Sequence, residues 1–222
     1  MKREIINTGD GSTTIYLPEW NEHYHSIHGA IQEARHVFIE MGLKKVLGSQ
    51  RQDISILEIG FGTGLNALVT WQETRNVPVK ITYTGIEAYP IEEKEVKELN
   101  FSSEIKEEKA RDIFELLHAL PWEQPGEITT EFNLHKQKKY FQDITDIEKY
   151  DLVYFDAFGA RVQPELWTAA IFSRMFDALI PGGILVTYAA KGSVRRAMLE
   201  VGFKVEKLPG PPGKREMLRA TK

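Results

Sequence analysis

Three glycines, Gly60, Gly62 and Gly64, alternate with other residues in the middle of the chain, and a glutamate, Glu58, precedes them. Glycine tolerates the backbone angles of a tight turn and lets a ligand approach without a Cβ in the way. A dinucleotide turn of the G-x-G-x-x-G type would need glycine at position 65, where this chain has leucine. A carboxylate at position 58 would repel a pyrophosphate, but it can orient the ammonium group of a methionine moiety.

Two more acids follow segments that are predicted to be strands. Glu87 stands at the end of the second such segment, where an acid can accept hydrogen bonds from both ribose hydroxyls. Asp143 follows the third segment and can accept the adenine amino group. Each acid alone is more often an ordinary loop residue. Together with the glycine turn, however, the strand-end acids favour S-adenosylmethionine as the cofactor.

A further acid, Asp156, ends the fourth predicted strand, and Ala157, Phe158 and Gly159 follow it. Methyl transfer is an in-line displacement, so positioning of the acceptor supplies most of what a protein can offer. An amine acceptor must also lose a proton. Asp156 is therefore the candidate catalytic residue, because it can hold an amine by a hydrogen bond and help to remove its proton.

Only a parallel sheet would bring these residues together, and the hydrophobic pattern predicts one. The segments that read as strands are 55–59, 79–86, 132–141, 151–155, 184–188, 204–208 and 216–220. The segments that read as helices are 64–73, 90–99, 110–120, 166–179 and 194–201. This alternation, which ends in a hairpin, predicts an α/β fold with a doubly wound, mostly parallel, seven-stranded sheet of the Rossmann-like type.

Residues 1–50 lie outside the alternation. We predict that they form an N-terminal appendage over the cofactor site, with a strand at 13–17 and a helix at 30–47. Residues 51–222 are predicted to form the main domain. His23, His25 and His28 do not share one helix face in the spacing that metal sites use, so we predict no metal.

The composition of the 222 residues, 42% hydrophobic and 27% charged, is ordinary for a globular protein. The chain has no signal-peptide pattern and no apolar run near the roughly 18 residues of a membrane span, so we expect a cytoplasmic protein. The absence of cysteine excludes disulfides, thiolate metal sites and a cysteine nucleophile. A net charge of −4 argues against coating of nucleic acid, but residues 191–222 carry +6 and residues 1–190 carry −10. A local RNA contact at the C-terminal end stays open beside the simpler interpretation of a solvated face.

The pattern of the glycine turn and the acids resembles that of the class I methyltransferases. The chain also resembles one family in more detail: the methyltransferase domain of the bacterial bifunctional enzyme that completes 5-methylaminomethyl-2-thiouridine at the wobble position of tRNA. The similar segments begin at Tyr24, Gly60, Asp156, Gly192 and Gly213. The loop after Asp156 departs from the family in Ala157, in Gly159 and Ala160, and in Gln163.

The resemblance implies methyl transfer from S-adenosylmethionine to the aminomethyl group of a tRNA uridine, with Asp156 as the catalytic acid. It also implies that Asn66, Tyr24 and Glu33 contribute to the cofactor site. The family's enzyme carries a flavin-dependent oxidase domain, whereas this chain ends at Lys222. We therefore expect a stand-alone methyltransferase domain at 51–222 that uses no FAD and needs no protein partner.

The remaining candidates concern tRNA. Arg195, Arg196, Lys214 and Arg215 are candidates for phosphate contacts, which position an RNA without identifying it. Phe158 or Tyr188 can stack on a flipped-out uridine, although an aromatic residue beside a strand more often belongs to the core. Two alternatives stay open: an aminopropyltransferase of the spermidine synthase type, and a non-catalytic module that binds tRNA or a nucleoside.

Overall fold

All seven predicted strands form, and they belong to one central sheet together with an eighth strand. The computed structural model describes residues 2–49 and 51–222. Its strands are β1 (Glu4–Asn7), β2 (Thr13–Leu17), β3 (Glu22–His23), β4 (Asp53–Ile59), β5 (Lys80–Glu87), β6 (Pro125–Thr129), β7 (Phe132–Lys138), β8 (Tyr150–Phe155), β9 (Leu179–Thr187), β10 (Lys204–Pro209) and β11 (Glu216–Thr221).

Its α-helices are α1 (Ala30–Ala34), α2 (Lys44–Leu47), α3 (Leu65–Thr74), α4 (Glu93–Glu98), α5 (Phe101–Glu104), α6 (Ala110–Ala119), α7 (Ala169–Ala178) and α8 (Gly192–Glu200). A π-helical segment, Arg35–Leu43, joins α1 to α2, so residues 30–47 are helical throughout, as predicted. Short 3₁₀ turns occur at Phe141–Asp143 and Pro164–Trp167.

The central sheet has the strand order β10-β11-β9-β8-β4-β5-β7-β6. Strands β7, β5, β4, β8 and β9 are parallel, while β11 and β10 form the antiparallel hairpin that the sequence predicts. The chain leaves β4 toward β5 on one side and later fills β8 on the other. The crevice between the carboxyl ends of β4 and β8 is therefore the topological switch point, where such sheets bind ligands.

Two features of the sheet differ from the prediction. The eighth strand, β6, contains Pro125 and Gly126, which are weak signals for a strand; it pairs only with β7, at the edge, where proline is tolerated. Strand β9 begins at Leu179, whereas the sequence predicts a helix to residue 179 and a strand from residue 184, so β9 includes the turn at residues 181–183. The pairing of Leu179 with Tyr150, followed by a register shift, draws that turn into the strand.

The first residues form a small sheet of their own, in the order β1-β2-β3, which continues into helix α1. Ile15 and Phe38 belong to the same buried cluster as Ile56 and Tyr154 of the central sheet. The predicted appendage thus shares a core with the sheet. The domain boundary at residue 50 stays a prediction, and Met1 and Gln50, at the two ends of that predicted unit, lie outside the described residues.

Among the residues that the structure describes, no helix has the length and apolar character needed to cross a membrane.

The helical segment 30–47 lies close to the sheet at Gly42. A Cβ added there would come within 2.9 Å of Val186 Cγ2, whereas one added at Gly48 would meet nothing nearer than 3.6 Å. We expect Gly42→Ala to lower the free energy of unfolding by about 1–3 kcal/mol, because the helix must move away from the sheet. The matched variant Gly48→Ala should be neutral or slightly stabilising. Urea denaturation of the two variants measures both values, and equal effects would contradict this account of the packing.

Candidate active site

A cavity of about 980 Å³ opens at the carboxyl ends of the central strands. Its wall is built from the glycine turn after β4, the ends of β5 and β8, the turn after β7, the N-terminal segment and the loop between β10 and β11. Among the predicted site residues, the lining includes Tyr24, Glu33, Gly60, Gly62, Asn66, Glu87, Asp156, Phe158 and Lys214. These residues are up to 190 positions apart in the sequence, and the sheet brings them together.

The glycine turn has the backbone that the sequence predicts. Gly60, Gly62 and Gly64 have φ values of 89°, 49° and 73°, and Gly64 caps the start of helix α3. The protein itself occupies the space that side chains would need. A Cβ on Gly60 would lie 2.7 Å from the carbonyl oxygen of Asp156, and one on Gly62 would lie 3.3 Å from the Tyr24 ring. The glycines are therefore required by packing as well as by the turn.

Glu58 is placed differently from the prediction. Its side chain is completely buried behind Asn66 and is not part of the cavity lining. One carboxylate oxygen accepts a hydrogen bond of 2.8 Å from Asn66 Nδ2, and the other accepts one of 2.9 Å from the Tyr83 hydroxyl. Burial raises the pKa of Glu58 well above its usual value. Asn66 therefore stands between Glu58 and the cavity. The expectation that Glu58 orients a ligand ammonium group, directly or through water, stays a prediction.

Glu87 does face the cavity, from the end of β5. Its carboxylate accepts hydrogen bonds from the backbone N–H groups of Gly62, at 3.1 Å, and Tyr89, at 2.9 Å. Burial raises the pKa of this carboxyl group, and the backbone hydrogen bonds oppose that rise. Glu87 thus ties the glycine turn to the end of β5 and presents an acceptor to the cavity.

Asp143 does not reach the cavity. It is exposed at the end of the 3₁₀ turn that follows β7, and its neighbours Phe141 and Gln142 line the cavity instead. The strand stops at Lys138, earlier than predicted, so the acid falls one turn beyond the strand end.

Asp156 lies at the end of β8. Asn66 Nδ2 donates a hydrogen bond of 2.9 Å to its Oδ2. Burial and the charge of Glu33 raise the pKa of Asp156 to about 7, although the bond from Asn66 and the charge of Lys214 act in the opposite direction. At neutral pH the protonated and the ionised forms of this carboxyl group are therefore both populated.

Lys214 lines the cavity, and its predicted contact with a tRNA phosphate stays a prediction. Its ammonium group forms an ion pair with Glu33 and lies 3.9 Å from the centre of the Tyr188 ring. Glu33 also accepts a hydrogen bond of 2.8 Å from the backbone N–H of Ser26. The other basic candidates, Arg195, Arg196 and Arg215, are not among the lining residues.

The N-terminal segment supplies residues that the sequence analysis missed. His25 Nε2 lies 2.7 Å from Thr63 Oγ1 in the glycine turn, and burial lowers the pKa of His25 to about 4. Arg3 donates hydrogen bonds of 3.0 Å to Glu95 and to the carbonyl oxygen of Tyr89. No motif marks Arg3. His25 lies in the similar segment that begins at Tyr24, but only tertiary contact relates it to the glycine turn.

The mouth of the cavity is aromatic. Phe158 packs edge-on against Tyr24 and Trp20, with ring centres 4.9 and 5.7 Å away. Burial raises the pKa of Tyr24 to about 12, so its hydroxyl stays protonated at neutral pH. Tyr188 donates a hydrogen bond of 2.8 Å to the carbonyl oxygen of Ala157, which holds the Asp156 loop against β9.

The charge of the cavity discriminates between ligands. Its lining has two Lys or Arg side chains and six carboxylate side chains: Glu22, Glu33, Glu87, Glu92, Asp156 and Glu165. Such a surface repels a pyrophosphate and attracts a cation. The described residues contain no group of three or more His, Cys, Asp or Glu side chains that could hold a metal ion. The cavity therefore suits a cationic nucleoside better than a dinucleotide.

The family model of S-adenosyl-L-methionine-dependent methyltransferases matches residues 113–222 of the chain. The similarity to this family extends over the C-terminal part of the chain. The match includes β8 with Asp156 and the whole C-terminal hairpin with Lys214.

Several relatives resemble this chain in sequence over nearly its whole length. The tRNA 5-methylaminomethyl-2-thiouridine biosynthesis bifunctional proteins MnmC of Cupriavidus metallidurans and Cupriavidus necator are 30% and 32% identical to it over 96% and 93% of its length. The chain spans about a third of the length of these relatives, 33% and 32%. The crystal structure of MNMC2 from Aquifex aeolicus superposes with a TM-score of 0.78 at 29% identity, covering 99% of this chain and 69% of that one.

A "probable spermidine synthase" from Corynebacterium glutamicum superposes on this chain with a TM-score of 0.55 at 15% identity, covering 99% of this chain and 76% of that one. Similarity at this level shows the fold alone. The aminopropyltransferase alternative therefore has support from the shared fold only.

The glycine turn depends on a neutral histidine behind it. His118 Nε2 donates a hydrogen bond of 3.1 Å to the carbonyl oxygen of Thr63, and burial, helped by the charge of Lys136, lowers the pKa of His118 to about 4. Between pH 6.5 and 4 the folded protein thus binds fewer protons at His118 than the unfolded chain does. This contribution to the free energy of unfolding is present above pH 6.5 and is lost as the pH falls through 4.

We expect His118→Gln, whose amide can still donate to Thr63, to weaken this dependence on pH. The difference in the free energy of unfolding between wild type and variant should shrink steadily from pH 7 to pH 4. Urea denaturation at several pH values measures it. A difference that does not change with pH would contradict the lowered pKa of His118.

Proposed function

We propose that this chain transfers a methyl group from S-adenosylmethionine to the aminomethyl group of 5-aminomethyl-2-thiouridine at the wobble position of tRNA. The names of the MnmC relatives support this substrate, and the alignment with them covers nearly the whole chain. A tRNA substrate also supports the expected cytoplasmic location. The single observation that carries the chemistry is the carboxylate of Asp156, which lies in the cavity wall and accepts a hydrogen bond of 2.9 Å from Asn66.

The residues present fit the cofactor. Glu87 offers carboxylate oxygens to ribose hydroxyls, and the excess of carboxylates suits a sulfonium and an ammonium group. Asn66 adds a buried amide oxygen that has no partner among the described residues. We assign the adenine end to Phe141 and Gln142, which line the cavity where Asp143 was expected, and we place Tyr24 and Glu33 on the opposite wall.

S-adenosylmethionine, when bound, supplies an electrophilic methyl group for in-line displacement. The task of the protein is to deliver an amine with a free lone pair. The carboxylate of Asp156 accepts an N–H of the acceptor amine and takes the proton that the nitrogen releases, and solvent then receives it. Asn66 fixes the carboxylate by its 2.9 Å hydrogen bond. This positioning and proton transfer together are worth several orders of magnitude in rate.

We propose separate roles for the RNA candidates. Arg196 and Arg215, which are exposed, and Arg195, which is partly exposed, contact tRNA phosphates. Phe158, which lines the cavity and is partly exposed, stacks on the uridine. Lys214 acts inside the cavity, because its ammonium group is paired with Glu33.

The test is incubation with methyl-labelled S-adenosylmethionine and tRNA from cells that lack this modification, followed by nucleoside analysis. We expect label in 5-methylaminomethyl-2-thiouridine. Label on a polyamine or on protein would refute the proposal. Binding of cofactor and tRNA without any transfer would favour the non-catalytic module.

Asp156→Asn should lower kcat/KM by about 10²–10⁴-fold, because the amide cannot take a proton. Binding of S-adenosylhomocysteine, measured by calorimetry, should change by less than about threefold. The matched control is Glu165→Gln, which removes a carboxylate from the same cavity at an exposed position and should leave kcat/KM within about threefold. Equal losses in both variants would show that cavity charge, and not proton transfer, explains the effect.

The pH profile provides a second test of Asp156. Since its pKa is raised to about 7, the base form increases as the pH rises through 7, and wild-type kcat/KM should rise over the same range. The inflection near pH 7 should disappear in Asp156→Asn. A profile that keeps this inflection in the variant would assign the titration to another group.

A further inference from the structure

The side chain of Asn66, in the first turn of α3, separates two carboxyl groups. It is 2% exposed and lies in the wall of the cavity. Its Nδ2 donates one hydrogen bond of 2.8 Å to Glu58 and another of 2.9 Å to Asp156. Both hydrogens of the amide group are therefore used within the protein.

The remaining polar atom, Asn66 Oδ1, is buried and has no hydrogen-bond partner among the described residues. A buried amide oxygen without a donor costs stability, and such an atom in a native structure calls for an explanation. A donor on a ligand would satisfy it.

The orientation of the amide group follows from its neighbours. Were Oδ1 and Nδ2 exchanged, Oδ1 would face carboxyl oxygens of both Glu58 and Asp156. An ionised carboxylate can only accept hydrogen bonds, so that arrangement would require both acids to be protonated. Glu58 is fixed in turn by the Tyr83 hydroxyl. Whenever Asp156 is ionised, Nδ2 of Asn66 therefore points at the two acids. Its Oδ1 is the atom left for another partner, and it can only accept a hydrogen bond.

We propose that Asn66 Oδ1 is an amine-recognition atom, which accepts an N–H from a positively charged or primary amine of a bound ligand. The two acids that hold Asn66 favour a cationic donor over a neutral hydroxyl, because hydrogen bonds with a charged partner are the stronger ones. The amine is either the amino group of the methyl donor or the acceptor amine of the substrate. The second source rests on the proposed function, and the first does not.

The first experiment compares the binding of two probes by calorimetry. S-adenosylhomocysteine carries the amino group of the methyl donor, and methylthioadenosine lacks the whole amino acid part. If Asn66 accepts the donor amine, Asn66→Ala should lower the affinity ratio between the two probes by about tenfold or more. Asn66→Asp keeps an oxygen at this place and, in its protonated form, one donor toward the two acids, so it should retain the ratio within about threefold.

The second experiment tests whether the acceptor amine of the substrate is the ligand. If the ratio is unchanged in Asn66→Ala but kcat/KM for tRNA falls by about tenfold, while Asn66→Asp loses less, the acceptor amine is the ligand. The proposal is overturned if Asn66→Ala changes neither quantity. It is also overturned if Asn66→Asp loses both as fully as Asn66→Ala does, since the N–H groups and not Oδ1 would then matter.

A control separates recognition from damage to the helix. Thr70, one turn along α3, donates a hydrogen bond of 2.7 Å to the backbone carbonyl oxygen of Asn66 and is fully buried. Thr70→Val should disturb the helix and leave the probe ratio unchanged, and thermal melting reports the stability of each variant. If the wild type methylates no tRNA, the proposed function fails, and the probe ratio still decides whether Asn66 recognises the donor amine.

Discussion

The amide of Asn66 between two buried carboxyl groups is the contact on which the rest of the site depends. Glu58 ends the central strand β4, Asp156 ends the neighbouring strand β8, and Asn66 belongs to the helix that follows the glycine turn. One amide group thus joins the three elements that meet at the topological switch point. Two carboxyl groups buried together would repel each other when both are ionised, so a donor shared between them is a condition for placing them there.

The raised pKa values follow from the same arrangement. Desolvation is the largest cause for Glu58, Glu87 and Asp156, and the hydrogen bonds that each accepts only reduce the effect. Glu58 is buried and does not line the cavity, so its carboxyl group has a structural role. For Asp156 desolvation gives a carboxyl group near neutrality beside a cavity that favours cations, which is what removal of a proton from an amine requires.

Residues 2–49 and the C-terminal hairpin enclose the site from both ends of the chain. His25 reaches the glycine turn through Thr63, and Glu33 pairs with Lys214, which lies over the Tyr188 ring. Because Glu33 raises the pKa of Asp156 and Lys214 lowers it, this ion pair connects the enclosing segments to the candidate catalytic group. The segments therefore complete the chemical environment as well as the shape of the cavity.

The sequence by itself determined the order of the strands and helices apart from β1, β3, β6 and α5, the glycine turn, and the positions of Glu87 and Asp156 at strand ends. These features depend on periodicity and on local backbone requirements, which a short segment carries within itself. It could not determine that Glu58 turns away behind Asn66, that Asp143 falls one turn beyond the end of its strand, or that Lys214 pairs with Glu33 inside the cavity. Each of these depends on which distant side chain fills the neighbouring space, and only the packing of the complete chain decides that.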